Sequence, residues 1–155
     1  GLNHAMAHAL GAKFHVPHGR ANGIFLTSTM NFNSGCSTEL TDTAVRYAEI
    51  AAILDVETSA LRQSTVDAVR AVRILKSSVL RQSALGAVRA VRILIEKLHI
   101  PTSVKDAGIS RRDFEAALDS LVDAVMADPT LASNPIKCSR DEVVDLFRKA
   151  YNGEH

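Results

Sequence analysis

Four of the six histidines fall within the first nineteen residues, at His4, His8, His15 and His18. His4 and His8 stand four apart in a run of good helix formers, so a helix there projects both imidazoles from one face, within reach of a common ion. His18 follows Val16-Pro17, a turn signal that lets the chain fold back toward that face. Imidazole nitrogen suits iron, zinc, copper and nickel and is a poor ligand for magnesium or calcium, so a metal held by this cluster is a transition ion. The competing reading of the spacing is a set of partly buried histidines hydrogen-bonded to carbonyls and water.

The same stretch, HAMAHALGAKFHVPHGRAN from His4 to Asn22, resembles the metal-binding segment of the iron-dependent (group III) alcohol dehydrogenases. Their pattern runs H-x-M-x-H-x-L-G, then a short aromatic stretch, then P-H-G-x-A-N. The resemblance implies that His4 and His18 are metal ligands, that His8 stands beside the nicotinamide and substrate and assists proton transfer, and that His15 has no ligand role. It also implies Fe2+ as the cofactor, with Zn2+ as the other candidate, together with NAD(P). Tyr47-Ala48-Glu49-Ile50-Ala51, Leu98-His99-Ile100-Pro101-Thr102-Ser103, Asp106-Ala107-Gly108-Ile109, Asn134-Pro135 and Ala150-Tyr151-Asn152-Gly153 follow in the order the family shows them.

That family places a nucleotide-binding domain before the helical one, and supplies an aspartate and a further histidine to the metal from helices preceding the stretch like His4–Asn22. The eight glycines never form the G-x-G-x-x-G cluster that lets backbone amides approach a pyrophosphate. The expectation is therefore a single helical domain over residues 1–155, the C-terminal part of a dehydrogenase with an incomplete metal site and no turnover by itself. A reading from a different class is a non-catalytic helical module derived from the family, held together by self-association. The partners expected are a small alcohol or aldehyde in the full-length enzyme and further copies of the chain.

Composition bounds these readings. With 155 residues, 46% hydrophobic and 23% charged, the chain can bury one sizeable core. A net charge of +1 gives no global attraction to nucleic acid or an anionic membrane. No apolar run approaches the roughly 20 residues that span a bilayer, and the N-terminal stretch lacks a signal-peptide layout. Cys36 and Cys138 lie far apart without a C-x-x-C, which argues for a reduced, cytoplasmic setting. Cys36 has no evident base nearby and is not expected to act as a nucleophile. Phe14 and Phe25 are expected in the core or a pocket wall.

The elements read as all-α. Ser110-Arg111-Arg112-Asp113 opens a helix whose Phe114, Ala117, Leu118, Leu121, Val122 and Val125 hold one face until Asp128-Pro129 ends it. Ser139 to Glu142 is a second capping box, and it opens a helix with Val143, Phe147 and Ala150 inward. Thr41 to Leu54 is expected helical with Ala44, Ala48 and Ala51 allowing close approach, and Asn22 to Asn31 continues helical behind Gly19. Asn134-Pro135 reads as a turn.

The middle of the chain is a repeat. Leu61–Leu75 (LRQSTVDAVRAVRIL) and Leu80–Leu94 (LRQSALGAVRAVRIL) are identical at 12 of 15 positions with a period of 19. The family resemblance accounts for one copy only. A 19-residue step turns a continuous helix by about 100° beyond whole turns, so two copies in one rod cannot offer the same face to the same neighbour. A break near Ser77-Ser78 is expected in preference to a rod of about 38 residues. Residues 61–98 carry eight basic side chains against Asp67 and Glu96, a local +6. With no aromatic platform or nucleic-acid motif beside them, these arginines read as a solvated face and not as a phosphate-binding surface. The apolar stripe of the extra copy is the expected source of self-association.

Overall fold

A computed structural model describes residues 1–36, 38–54 and 77–154, and no strand occurs among them. In chain order the helices are α1 (Leu2–Phe14), α2 (His18–Ser34), α3 (Asp42–Ile53), α4 (Ser77–Lys97), α5 (Arg111–Ala127) and α6 (Arg140–Asn152), with a 3-10 turn at Pro129–Ser133 between the last two. The all-α expectation holds. The chain divides into two compact units, one of Gly1–Thr29 with Ile95–His155 and the other of Met30–Leu94.

The first unit carries the histidines. Its α1 packs against α5 and the 3-10 turn, and α5 packs against α6. Nearly every face of α1 is covered: Leu2, Ala5, Met6, Ala7, Ala9 and Leu10 are all buried. A helix apolar all round shows no one-sided stripe and must sit inside its unit. His4 and His8, with Ala12 and Lys13 near the C-terminal end, are the exposed residues of this helix. In α5 the six residues of the expected stripe are the six buried ones, and the Ser110 side chain accepts from the Asp113 amide to start the helix. In α6 the capping box is complete: Ser139 Oγ accepts from the Glu142 amide and the Glu142 carboxylate accepts from the Ser139 amide, so both orphan donors are satisfied.

The core of this unit is centred on aromatics. The Phe25 and Phe147 rings meet edge-to-face with centroids 5.4 Å apart. Phe114 lies 6.4 Å from Phe147 and stacks on Tyr151 at 4.7 Å. The Tyr151 hydroxyl donates to the Ile109 carbonyl at 3.3 Å, which satisfies its polar end inside the core. Asn134 does more than make a turn. Its Oδ1 accepts from the Leu2 amide at 3.0 Å and its amide donates to the Ile136 carbonyl at 2.8 Å, fixing the start of α1 to the end of the 3-10 turn.

In the second unit Ala44, Ala48 and Ala51 are the buried face of α3, as expected from their spacing. Cys36, Ala44 and Ala84 form a small buried cluster, against which Leu40, Tyr47, Leu80 and Leu85 pack. Cys36 thus serves as a core residue, its thiol directed at the Arg81 carbonyl 3.8 Å away. Burial holds the Tyr47 hydroxyl above its ordinary pKa, against a weaker opposing hydrogen bond with Asn33. Both cysteines are free thiols.

The second copy of the repeat, Leu80–Leu94, lies in α4, where Ala84, Ala87 and Val88 are buried. The first copy, Leu61–Leu75, and with it the choice between a broken helix and a rod, lies outside the described residues. The copies differ at three positions, Thr65/Ala84, Val66/Leu85 and Asp67/Gly86. Two of the second copy's distinguishing residues, Ala84 and Gly86, are buried and the third, Leu85, is partly so.

Candidate metal centre

The α1–α2 corner brings three of the four N-terminal histidines together. The His4 and His8 rings meet edge-on with centroids 4.4 Å apart, His4 and His18 are 4.7 Å apart, and His8 and His18 are stacked at 5.4 Å. One nitrogen from each of the three lies within 4.8 Å of the others. His4 and His8 are on one face of α1 because they are four apart, as their spacing requires. His18 reaches them because the chain reverses between the helices. His15 takes the left-handed conformation at the end of α1 (φ 56°, ψ 28°), and Pro17 accepts from the Ala21 amide to open α2. His15 therefore has a structural role at the corner, and it is not part of the cluster.

The three imidazoles are held differently. His18 sits at the first position of α2, one turn before Asn22. The Asn22 amide nitrogen lies 3.1 Å from His18 Nε2 and donates to the His18 carbonyl at 3.0 Å. Asn22 Oδ1 in turn accepts from the Asn3 amide at 2.9 Å, so both helices meet at a side-chain pair that supports His18. His8 Nδ1 is 2.8 Å from Asp128 Oδ2. The His8 side chain is 44% exposed and that of Asp128 only 11%. Partial desolvation, followed by the charges of His8 and His18, lowers the His4 pKa from the ordinary histidine value, and Asp128 opposes this more weakly. Hydrogen bonds from Thr130 and then from His8 depress the Asp128 carboxyl to about 2.

The donor set fits a transition ion. All three groups offer imidazole nitrogen, the ligand type that suits Fe2+ and Zn2+. Desolvation first, and the neighbouring imidazoles second, favour the neutral form of His4, which is the form that ligates. Two nitrogens on a tetrahedral zinc at about 2.0–2.1 Å stand about 3.4 Å apart, so nitrogens that now lie within 4.8 Å of one another must draw closer by up to about 1.4 Å, a movement open to exposed side chains.

Residues 1–151 match the family described as Fe-containing alcohol dehydrogenase family, C-terminal. The chain belongs to this family. It is 31% identical over 153 residues to the NADPH-dependent butanol dehydrogenase of Clostridium saccharobutylicum, a match that covers 99% of the chain and 33% of that enzyme. It is 29% identical over 149 residues to the 1-propanol dehydrogenase of Salmonella typhimurium, covering 96% of the chain and 35% of that enzyme. Among solved structures, the alcohol dehydrogenase from Oenococcus oeni superposes with a TM-score of 0.72 at 28% identity, over 97% of the chain and 32% of that protein. The 155 residues thus span about a third of the length of these Fe-containing alcohol dehydrogenase relatives and correspond to their C-terminal part.

Of the residues singled out by the sequence, His4, His8 and His18 are brought together and His15 is not. Asp128, Asn22 and Asn3 were not singled out as parts of the site. Asn22 is within the quoted motif, but Asp128 is 120 positions from His8, and a lone Asp-Pro at the end of a helix carries no sign of a distant imidazole. Among the described residues no helix is long and apolar enough to cross a membrane.

Proposed function

We propose that this chain is the metal-holding helical part of an NAD(P)-dependent alcohol dehydrogenase that interconverts small alcohols and aldehydes in the cytoplasm as a homo-oligomer. The observation that carries the reading is the convergence of His4, His8 and His18 at the corner of α1 and α2, in a chain matched to the family over residues 1–151. His4 and His18 would hold Fe2+ or Zn2+. When bound, the ion supplies Lewis acidity toward an alcohol or carbonyl oxygen and NAD(P) supplies the hydride acceptor or donor. His8 is the proton-handling group. Its Nδ1 is occupied by Asp128, and Nε2 is left to take a proton from an alcohol or give one to a carbonyl oxygen. Asn22, steadied by Asn3, keeps His18 in place.

The 155 residues contain no glycine-rich phosphate-binding turn, so nicotinamide binding and hydride transfer are expected to need residues beyond them. Isolated, the chain is expected to bind Zn2+ reversibly and weakly, since two or three imidazoles are fewer than the four ligands of a closed zinc site. In calorimetric titration with Zn2+, His4→Ala and His18→Ala should each weaken binding at least about tenfold, because each removes a ligand. His15→Ala should leave the affinity unchanged. Equal affinity in the wild type and both ligand variants would overturn the assignment.

The second reading, a self-associating helical module without catalysis, is favoured by one observation in the second unit. Ile53, Ile93 and Leu94 are large apolar side chains at 82, 51 and 56% exposure. It requires no specific metal site, so a titration in which none of the histidine substitutions matters, with a concentration-dependent oligomer in sedimentation, is the result that would select it.

A further inference from the structure

Asp128, the residue after α5, does more than cap that helix. Its own amide donates back to the Val125 carbonyl at 3.1 Å, closing α5. Its Oδ1 accepts from both the Thr130 amide at 2.8 Å and the Thr130 hydroxyl at 2.6 Å, opening the 3-10 turn. Pro129 between them fixes the backbone further. One carboxylate oxygen is therefore fully engaged by the turn, which leaves Oδ2 at a set position. Because α1 packs on both α5 and the turn, that position is beside His8, whose Nδ1 is 2.8 Å away.

The pair differs from an ordinary surface ion pair. Two long, solvated side chains lose rotamer freedom to meet, which leaves such pairs worth little. Here the acceptor is short, 11% exposed and already held by Thr130, so the ordering cost for the carboxylate is met by the turn. A carboxylate accepts and does not donate, so His8 must carry its proton on Nδ1 to make this bond. Nε2 is then the unprotonated nitrogen in the neutral ring. The edge-on contact with the His4 ring and the stack with His18 confine the plane in which that nitrogen lies.

We propose that Asp128, clamped by Thr130, is the positioning residue for His8, setting its tautomer and ring orientation so that Nε2 is presented as the proton acceptor toward the bound alcohol. The last step rests on the function proposed above, while the tautomer does not. Carboxylate partners fix histidines in this way in other sites, where the hydrogen bond to one nitrogen decides the state of the other.

The test is a long-range 1H–15N correlation spectrum of the histidine rings in the metal-free chain, recorded at about pH 9, where ordinary imidazoles are neutral. The His8 signal is assigned by its loss in His8→Gln. In the wild type it should show the Nδ1–H tautomer. Asp128→Asn keeps an oxygen for Thr130 and places an NH2 group against His8, so the ring should convert to Nε2–H while circular dichroism stays unchanged. Asp128→Ala should also shift the ring toward Nε2–H, the form a free imidazole prefers, and it checks that the effect comes from losing the carboxylate. An Nε2–H ring in the wild type, or an unchanged Nδ1–H ring in a folded Asp128→Asn, would overturn the proposal and leave Asp128 as a turn cap alone. Neither outcome depends on alcohol turnover, so failure here is distinguishable from failure of the dehydrogenase reading.

Discussion

Phe147→Ala is expected to destabilise the first unit by about 3–5 kcal/mol, the range for removing a fully buried aromatic side chain. Phe147 is 0% exposed and its ring joins Phe25 of α2 to Phe114 of α5, at 5.4 and 6.4 Å. Alanine there leaves a cavity among three helices, which relax only in part, because each is fixed by another buried residue: Ile24 in α2, Leu121 in α5 and Val143 in α6. A typical domain is stable by about 5–15 kcal/mol, so the loss is a large share of the total. In urea, the unfolding midpoint should fall with little change in slope. Phe147→Leu keeps most of the volume and should cost about 1–2 kcal/mol. A loss below about 1 kcal/mol for the alanine variant would show that the aromatic cluster is not the packing centre it is described as.

Gly35→Ala is expected to be nearly as damaging in the second unit, by a different route. Gly35 has φ +66°, and a Cβ built on it would lie 1.8 Å from the Glu39 carbonyl oxygen. The left-handed backbone alone costs an alanine about 1–2 kcal/mol. The contact is with backbone and cannot be relieved by a rotamer change, so the loop itself must move. That loop is tied at several points: the Thr41 amide donates to the Ser34 carbonyl at 3.0 Å, and Arg81 of α4 donates to the Gly35 and Thr38 carbonyls at 3.4 and 3.2 Å. The total is expected at about 3–4 kcal/mol, within the range reserved for named backbone clashes. Hydrogen exchange should show the loss as faster exchange in α3, with α5 and α6 little affected. Wild-type protection of α3 in this variant would contradict the argument.

How much was legible in the sequence depended on how evenly each helix is covered. In α5 one side faces water and one faces the core, so its six buried residues could be read from periodicity, and Ser139 with Glu142 announced α6 through capping chemistry that is local in sequence. Periodicity said less about α1 and α2. Residues of α2 from Ala21 to Met30 are almost all buried, so there is no stripe to detect, and the helix runs from His18 to Ser34, longer at both ends than the Asn22–Asn31 stretch expected. The cluster of His4, His8 and His18 was legible from spacing and motif because its members are within fifteen residues of one another. The left-handed His15 was not: histidine is enriched at positive φ, but such residues are only a few per cent of all non-glycine residues, and nothing beside His15 marks it as one of them. Nor was the His8–Asp128 bond, which exists only because α1 packs on α5 and the 3-10 turn. Long-range pairs of this kind follow from tertiary packing and leave no local pattern.

The central claim is that His4 and His18 are metal ligands while His8 is held aside by Asp128. The most direct measurement is anomalous diffraction from crystals of the chain soaked in Zn2+, with data collected at the zinc absorption edge. A peak is expected at the α1–α2 corner about 2.0–2.1 Å from one nitrogen each of His4 and His18, with the bond from His8 Nδ1 to Asp128 intact. A peak ligated through His8 Nδ1 with that bond broken, or zinc bound elsewhere with none at the corner, would contradict it.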